Sequence, residues 1–121
     1  MNISEIIRSG QVEALAEVLQ SNPGAVNNPD ERGFTPLVLA TYLNQKEIAN
    51  TLLDMGADID VQDAIMGNTA LMGVCFKGSF ELAKLLIDKG ADKNLKNANG
   101  QTALDFAKEG GYQDIQKLLE S

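Results

Sequence analysis

Apolar residues recur along the chain at three- and four-residue spacings, in short runs divided by polar and small residues. Ile3, Ile6 and Ile7 form the first run, and Val12, Leu15, Val18 and Leu19 the second. The pattern resumes at Leu37, Ala40 and Thr41, at Ile48, Leu52 and Leu53, at Leu71, Val74 and Cys75, and at Leu82, Leu85 and Leu86. It closes with Leu104 and Ala107, then Ile115, Leu118 and Leu119. Such spacing gathers apolar side chains on one helical face and predicts short amphipathic helices. The interruptions read as helix ends. Ser9-Gly10, Asn44, Gly78 and Gly111 divide the members of successive pairs, and Asn22-Pro23-Gly24 ends the second run with turn-forming residues. Asn2 is placed to cap the first helix, with Glu5 completing a capping box. Thr35 is a good N-cap, and Pro36 fits the first helical position, where its missing N–H is not needed. Gly56 sits where a left-handed C-terminal cap belongs. The expected fold is all-α, with little strand.

The pattern also repeats. Gly33-Phe34-Thr35-Pro36-Leu37 returns as Gly67-Asn68-Thr69-Ala70-Leu71 after 34 residues, and as Gly100-Gln101-Thr102-Ala103-Leu104 after a further 33. Gly56-Ala57-Asp58 returns as Gly90-Ala91-Asp92. Self-similarity at this period marks a solenoid of stacked helix-turn-helix units joined by short hairpin loops. The units are expected at 1–29, 30–63, 64–96 and 97–121 within a single domain. The first lacks a threonine–proline start. The last carries Gln116 where Ala49 and Ala83 stand in the inner units, and both are expected to act as caps. Stacking should join Leu37 with Leu71 and Leu104, and Leu52 with Leu86 and Leu119, into one core. The segment from Ala57 to Thr69 is one residue longer than that from Ala91 to Thr102, so an extra residue is expected in the hairpin holding Ala64, Ile65 and Met66.

Charge and composition narrow the partners. The 121 residues include 17 acidic and 10 basic side chains, a net charge of −7. Residues 1–63 hold Arg8, Arg32 and Lys46 against ten carboxylates, which accounts for the whole imbalance; residues 64–121 balance seven lysines with seven carboxylates. An acidic chain is repelled by phosphate backbones and anionic lipid, so nucleic acid and membranes are poor partners. One cysteine excludes an intrachain disulfide. No basic n-region opens the chain, and no apolar run approaches the roughly 18 residues of a membrane span. A cytoplasmic protein, monomeric when free, is expected.

Little in the sequence points to reaction chemistry. With no histidine, the chain can form no Ser–His or Cys–His pair and no His-ligated metal site. Cys75 occupies a small-residue position beside Val74 and is expected to be buried packing. Asp58, Asp60 and Asp63 are spaced like the start of a calcium loop. Asp63, however, falls where glycine is required, and the closing glutamate is missing. Gly110-Gly111 lacks the lysine and preceding strand of a phosphate cradle. Lys89, Lys93 and Lys96 are offset by Asp88 and Asp92 and read as a solvated edge. No cofactor or metal is expected.

These residues resemble the ankyrin repeat, whose pattern is a glycine turn, Thr-Pro-Leu-His, a small-residue helix, a second glycine turn, a Leu-Leu helix and Gly-Ala-Asp. The resemblance covers the whole chain, as two full repeats flanked by two capping repeats. Val38, Met72 and Asp105 stand where the family carries histidine, which ties neighbouring repeats together by hydrogen bonds; Ala70 and Ala103 replace Pro36. The resemblance implies a concave groove, lined by hairpin tips and exposed positions of the inner helices, that grips a partner protein. The matching positions are Glu31, Arg32, Phe34, Tyr42 and Leu43, then Ile65, Met66, Asn68, Phe76 and Lys77, then Ala98, Asn99, Gln101 and Glu109. Phe34, Tyr42, Leu43, Ile65, Met66 and Phe76 are large and apolar where solubility alone would favour polar residues, and are expected to form one patch. The competing arrangement turns Leu43 and Phe76 inward to fill gaps between helices. The implied function is a non-enzymatic protein–protein interaction module, adaptor or inhibitor. The alternative is an enzyme or small-ligand-binding protein that uses surface carboxylates.

Overall fold

The computed structural model describes residues 2–121. Among these there are eight α-helices and no strand. The chain divides into two compact units, the first ending at Asp58 and the second beginning at Ile59.

The first unit contains α1 (Ile3–Ser9), α2 (Val12–Ser21), α3 (Pro36–Tyr42) and α4 (Lys46–Asp54). α1 packs on α2 and α3 on α4; α1 also lies against α3, and α2 against α4. Most of the buried residues belong to the periodic pattern: Ile6 and Ile7, Leu15 and Leu19, Leu37, Ala40 and Thr41, Ile48 and Leu52; Leu39 and Ala49 join them, while Ile3, Val12, Val18 and Leu53 of the pattern are only half-buried. Burying such aliphatic side chains supplies roughly 1.5–3 kcal/mol each, and this is what holds helices of seven to ten residues that would not persist alone. The Asn2 side-chain carbonyl accepts the Glu5 N–H at 2.8 Å. Thr35 Oγ1 accepts the Val38 N–H with Pro36 at the first helical position. After α2 the chain does not simply turn. Residues Pro23–Asn27 form a 3-10 helix that buries Ala25 and Val26. Gly56 and Gly90 hold φ of +98° and +96°, the left-handed conformation expected after α4 and, in the second unit, after α6.

The second unit contains α5 (Ala70–Lys77), α6 (Phe80–Asp88), α7 (Ala103–Gly110) and α8 (Gln113–Glu120), packed in the same order, α5 on α6 and α7, and α8 on α6 and α7. Leu71, Val74, Cys75, Leu82, Ala83, Leu86, Ala107, Ile115 and Leu119 are buried. Leu104 departs from expectation. It is only half-buried, because α7 is covered chiefly by α5 and α8 and keeps part of its surface open.

Two of the three residues at the family's histidine position take over a helix-capping task. Asp105 Oδ2 accepts the Thr102 backbone N–H at 2.9 Å, while Thr102 Oγ1 accepts the Asp105 N–H. This backbone bond is the main reason the Asp105 carboxyl is held below the ordinary 3.8, although desolvation opposes it; the Thr102 hydroxyl and nearby lysines lower it further. Met72 Sδ accepts the Thr69 N–H at 3.5 Å, a weaker version of the same box. Asn44 takes φ of +58° at the position where Gly10, Gly78 and Gly111 are left-handed, a conformation asparagine tolerates better than most side chains.

Candidate partner-binding surfaces

In the first unit the candidate residues gather around a tight hairpin. The Asp30 N–H donates to the Phe34 carbonyl at 2.8 Å and the Gly33 N–H to the Asp30 carbonyl at 3.0 Å. Asp30 Oδ1 also accepts the Arg32 and Phe34 N–H groups. Burial acts to raise the Asp30 carboxyl, but those two backbone bonds and the Arg32 charge outweigh it and hold the carboxyl below its usual value. The Arg32 guanidinium stands 5.4 Å from the centre of the Phe34 ring and 3.6 Å from Asp30 Oδ2. Phe34 is thereby half-buried rather than fully exposed. Arg32, Phe34, Val38, Leu39 and Tyr42 line a notch of about 200 Å³, room for one large side chain. Tyr42, at its rim, is 64% exposed. A wider cleft of about 620 Å³, also lined by Phe34, opens between the start of α1, the end of α2 and the hairpin. Leu43, the residue that caps α3, is exposed.

In the second unit the extra hairpin residue is plain in the hydrogen bonding. The Asp63 N–H reaches the Asn68 carbonyl, five residues on, whereas the Asn97 N–H reaches Gln101, four residues on. Asp63 accommodates the longer loop by accepting the N–H groups of Ile65, Met66, Gly67 and Asn68 through its two carboxylate oxygens. The loop backbone is thus held while Ile65 and Met66 point out, 63% and 40% exposed. Asn68 is half-buried, its amide oxygen accepting from Asn97 Nδ2 at 2.9 Å. Asn97 is buried and its own Oδ1 accepts the Asn99 and Gln101 N–H groups. Asn99 and Gln101 are held in this network, and Gln101 Nε2 donates to Glu109. Phe76 is 65% exposed and meets Phe106 edge to face, ring centres 6.0 Å apart. Lys77 is exposed in the last turn of α5. Neither Leu43 nor Phe76 turns inward.

Four residues of these surfaces were not among the contact candidates: Asn97, Phe106, Val38 and Leu39. Asn97 shares its hairpin position with Asp30 and Asp63, and Phe106 shares a register with Leu39 and Gly73, so the repeat itself held the signal. Gly73 lies within α5 and is exposed; a Cβ placed there would meet nothing within 4 Å, and its φ is an ordinary helical one.

Among the described residues no group of three His, Cys, Asp or Glu side chains could hold a metal ion. The Asp63 oxygens are occupied by their own loop, and Asp60 Oδ1 accepts the Asp92 N–H. Burial pushes the Cys75 thiol up to about 12, far from a reactive thiolate at neutral pH. No described helix is long and apolar enough to cross a membrane.

Paired helices at a repeating period, joined by short hairpins, define a helical-repeat protein. A family model for "Ankyrin repeats (3 copies)" matches residues 3–63 and 56–121, and the chain belongs to the ankyrin-repeat family. It is 35% identical over 105 residues to the rat "Ankyrin repeat and SAM domain-containing protein 6", covering 87% of this chain and 12% of that protein. It is 39% identical over 93 residues to human "NF-kappa-B inhibitor alpha", covering 72% of this chain and 29% of the relative. Human "DNA-binding protein RFXANK" is 40% identical over 58 residues, 48% of this chain and 22% of its own length. The chain therefore spans less than a third of each of these relatives. Ankyrin repeats generally mediate protein–protein interaction, and the family is typically non-enzymatic.

Proposed function

We propose that this chain is a non-enzymatic module that holds a partner protein through its hairpin tips and the exposed positions of its inner helices, as an adaptor or an inhibitor. The observation that carries the reading is the set Tyr42, Ile65 and Phe76, each more than 60% exposed at positions the buried core does not use. Single exposed apolar residues are common on protein surfaces. Here, however, they stand beside further apolar surface: Tyr42 rims the notch with Phe34 and Val38, and Phe76 meets Phe106. Aromatic residues, Met and Arg are what interface cores enrich. Gly73 adds support. A glycine inside a helix costs about 1 kcal/mol relative to alanine, and neither φ nor packing requires this one, which suits close approach by a partner. The likeness to a protein named as an inhibitor keeps that role beside adaptor. The net charge of −7 favours a protein with a basic surface over nucleic acid or anionic lipid. A lone, buried cysteine suits the cytoplasm, and we take the free chain to be a monomer.

The test is a pair of measurements on Phe34→Ala, Tyr42→Ala and Phe76→Ala: melting temperature, and affinity for a partner isolated from the source cells and purified. We expect near-native melting and, for at least one variant, a loss of about 2 kcal/mol in binding, near thirtyfold. Leu86→Ala should instead lose roughly 2–5 kcal/mol of fold stability. Three variants that melt normally and bind at full strength would place the contact elsewhere on the chain.

A further inference from the structure

We propose that Met66 is a site of reversible oxidation, at which a peroxide converts the thioether to the sulfoxide without disturbing the fold. Three described methionines stand in different surroundings. Met72 is buried, and its sulfur accepts the Thr69 N–H. Met55, the residue that caps α4, is half-buried. Met66 is 40% exposed at the tip of the enlarged hairpin. Its backbone is pinned on both sides: its N–H donates to Asp63 Oδ1 at 2.7 Å, and its carbonyl accepts the Ala98 N–H at 2.9 Å. A change at the side chain therefore leaves the loop's hydrogen bonds in place, whereas oxygen added to Met72 would put a polar group into a filled core and take the lone pair that caps α5.

The chemistry balances with a hydroperoxide as the only co-reactant. The Met66 sulfur attacks the terminal hydroxyl oxygen of the peroxide, the S–O bond forms as the O–O bond breaks, and the proton of that hydroxyl passes to the departing oxygen, which leaves as water or alcohol. Sulfur is oxidised by two electrons and the peroxide reduced by two. Methionine sulfoxide reductases reverse the step, one enzyme for each sulfoxide epimer. The product is polar and chiral in place of a flexible apolar side chain. Met66 and its neighbour Ile65 form the apolar tip of this hairpin, so oxidation turns part of that tip polar. That this would weaken partner binding rests on the surface proposed above; the oxidation itself does not.

The experiment treats the full chain with limiting hydrogen peroxide. Oxygen uptake at each of the four methionines, Met1 included, is followed by peptide mass mapping, together with melting temperature and retention on a phenyl column of the native protein and of the fraction oxidised at Met66 alone. Met66, the most exposed of the three described methionines, should gain oxygen faster than Met55 and much faster than buried Met72. The singly oxidised protein should melt as the native one does and elute earlier from the phenyl column, and treatment with both reductases should restore its retention. Met66→Leu should elute as the untreated protein does and be unmoved by the same peroxide dose. Equal rates at Met66 and Met72, a lowered melting temperature on oxidation at Met66, or unchanged phenyl retention would each overturn the proposal. None of these readouts uses a partner, so their failure is distinct from failure of the binding reading.

Discussion

Tyr112 is sandwiched by glycines, and this allows conformational strain and steric exclusion to be measured separately. A Cβ on Gly78 would stand 2.5 Å from Tyr112 Cζ, and a Cβ on Gly110 would also fall inside the ring's van der Waals contact. Gly78 is left-handed at φ +78°, while Gly110 is an ordinary residue of α7. Gly90 completes the set, left-handed at φ +96° with nothing within 4 Å of its Cβ position. Alanine in a left-handed conformation costs about 1–2 kcal/mol, and an added methyl forced into packed atoms about 1–3 kcal/mol. Gly90→Ala should therefore lose about 1–2 kcal/mol, Gly110→Ala about 1–3, and Gly78→Ala about 2–5, the sum of both terms. Urea unfolding followed by far-UV circular dichroism reads these values. With a slope of roughly 1–3 kcal/mol per molar, a loss of 2 kcal/mol moves the midpoint by about 1 M. The decisive comparison repeats Gly110→Ala in a Tyr112→Ala background. With the ring gone, the clash is gone, and alanine's better helix propensity should make the change neutral or favourable by up to about 1 kcal/mol. If Gly110→Ala destabilises equally with and without the ring, or if Gly90→Ala loses as much as Gly78→Ala, the packing of Tyr112 is not what these glycines serve.

Two further outcomes follow from the same structure. Gly73→Ala should raise fold stability by up to about 1 kcal/mol, since the added methyl meets open space and removes the entropy penalty of a helical glycine; a drop in the urea midpoint would show that the fold itself requires Gly73. Asp30 and Asp105 both bind protons less readily in the folded chain than at the ordinary 3.8. Their stabilising contribution is therefore complete well above that value and is lost as pH falls through their lower folded values. The pair Asp30→Asn and Asp105→Asn should flatten the acid limb of the stability curve below about pH 5, and a limb of unchanged steepness would refute the assignment.

The helix pairs, the Thr35 cap and the left-handed Gly56 were all legible in the residues, because each depends on neighbours within four positions along the chain. So was the longer hairpin around Ile65 and Met66, which needed only a count of residues between matching positions. Which of the contact candidates are exposed was not legible. Tyr42 and Phe76 are open to solvent, yet Phe34 is half-covered by Arg32 and Asn68 is drawn into a bond with Asn97. Asn97 lies in the next hairpin, at a separation where sequence spacing carries no information; Arg32 is only two residues from Phe34, but its side-chain direction is set together with Asp30, which it also meets.

Taken alone, the order of residues determined the all-α repeat fold and the family, because helical periodicity, caps and turn glycines are local preferences written again at each period. Only the tertiary structure decided that Asn97 is a buried hub, that Leu104 is half-open, that residues 23–27 coil into a 3-10 helix over the core, and that Tyr112 fills the space Gly78 and Gly110 leave. Each of these depends on atoms brought together by packing, where the volume left by one element sets what another can place there.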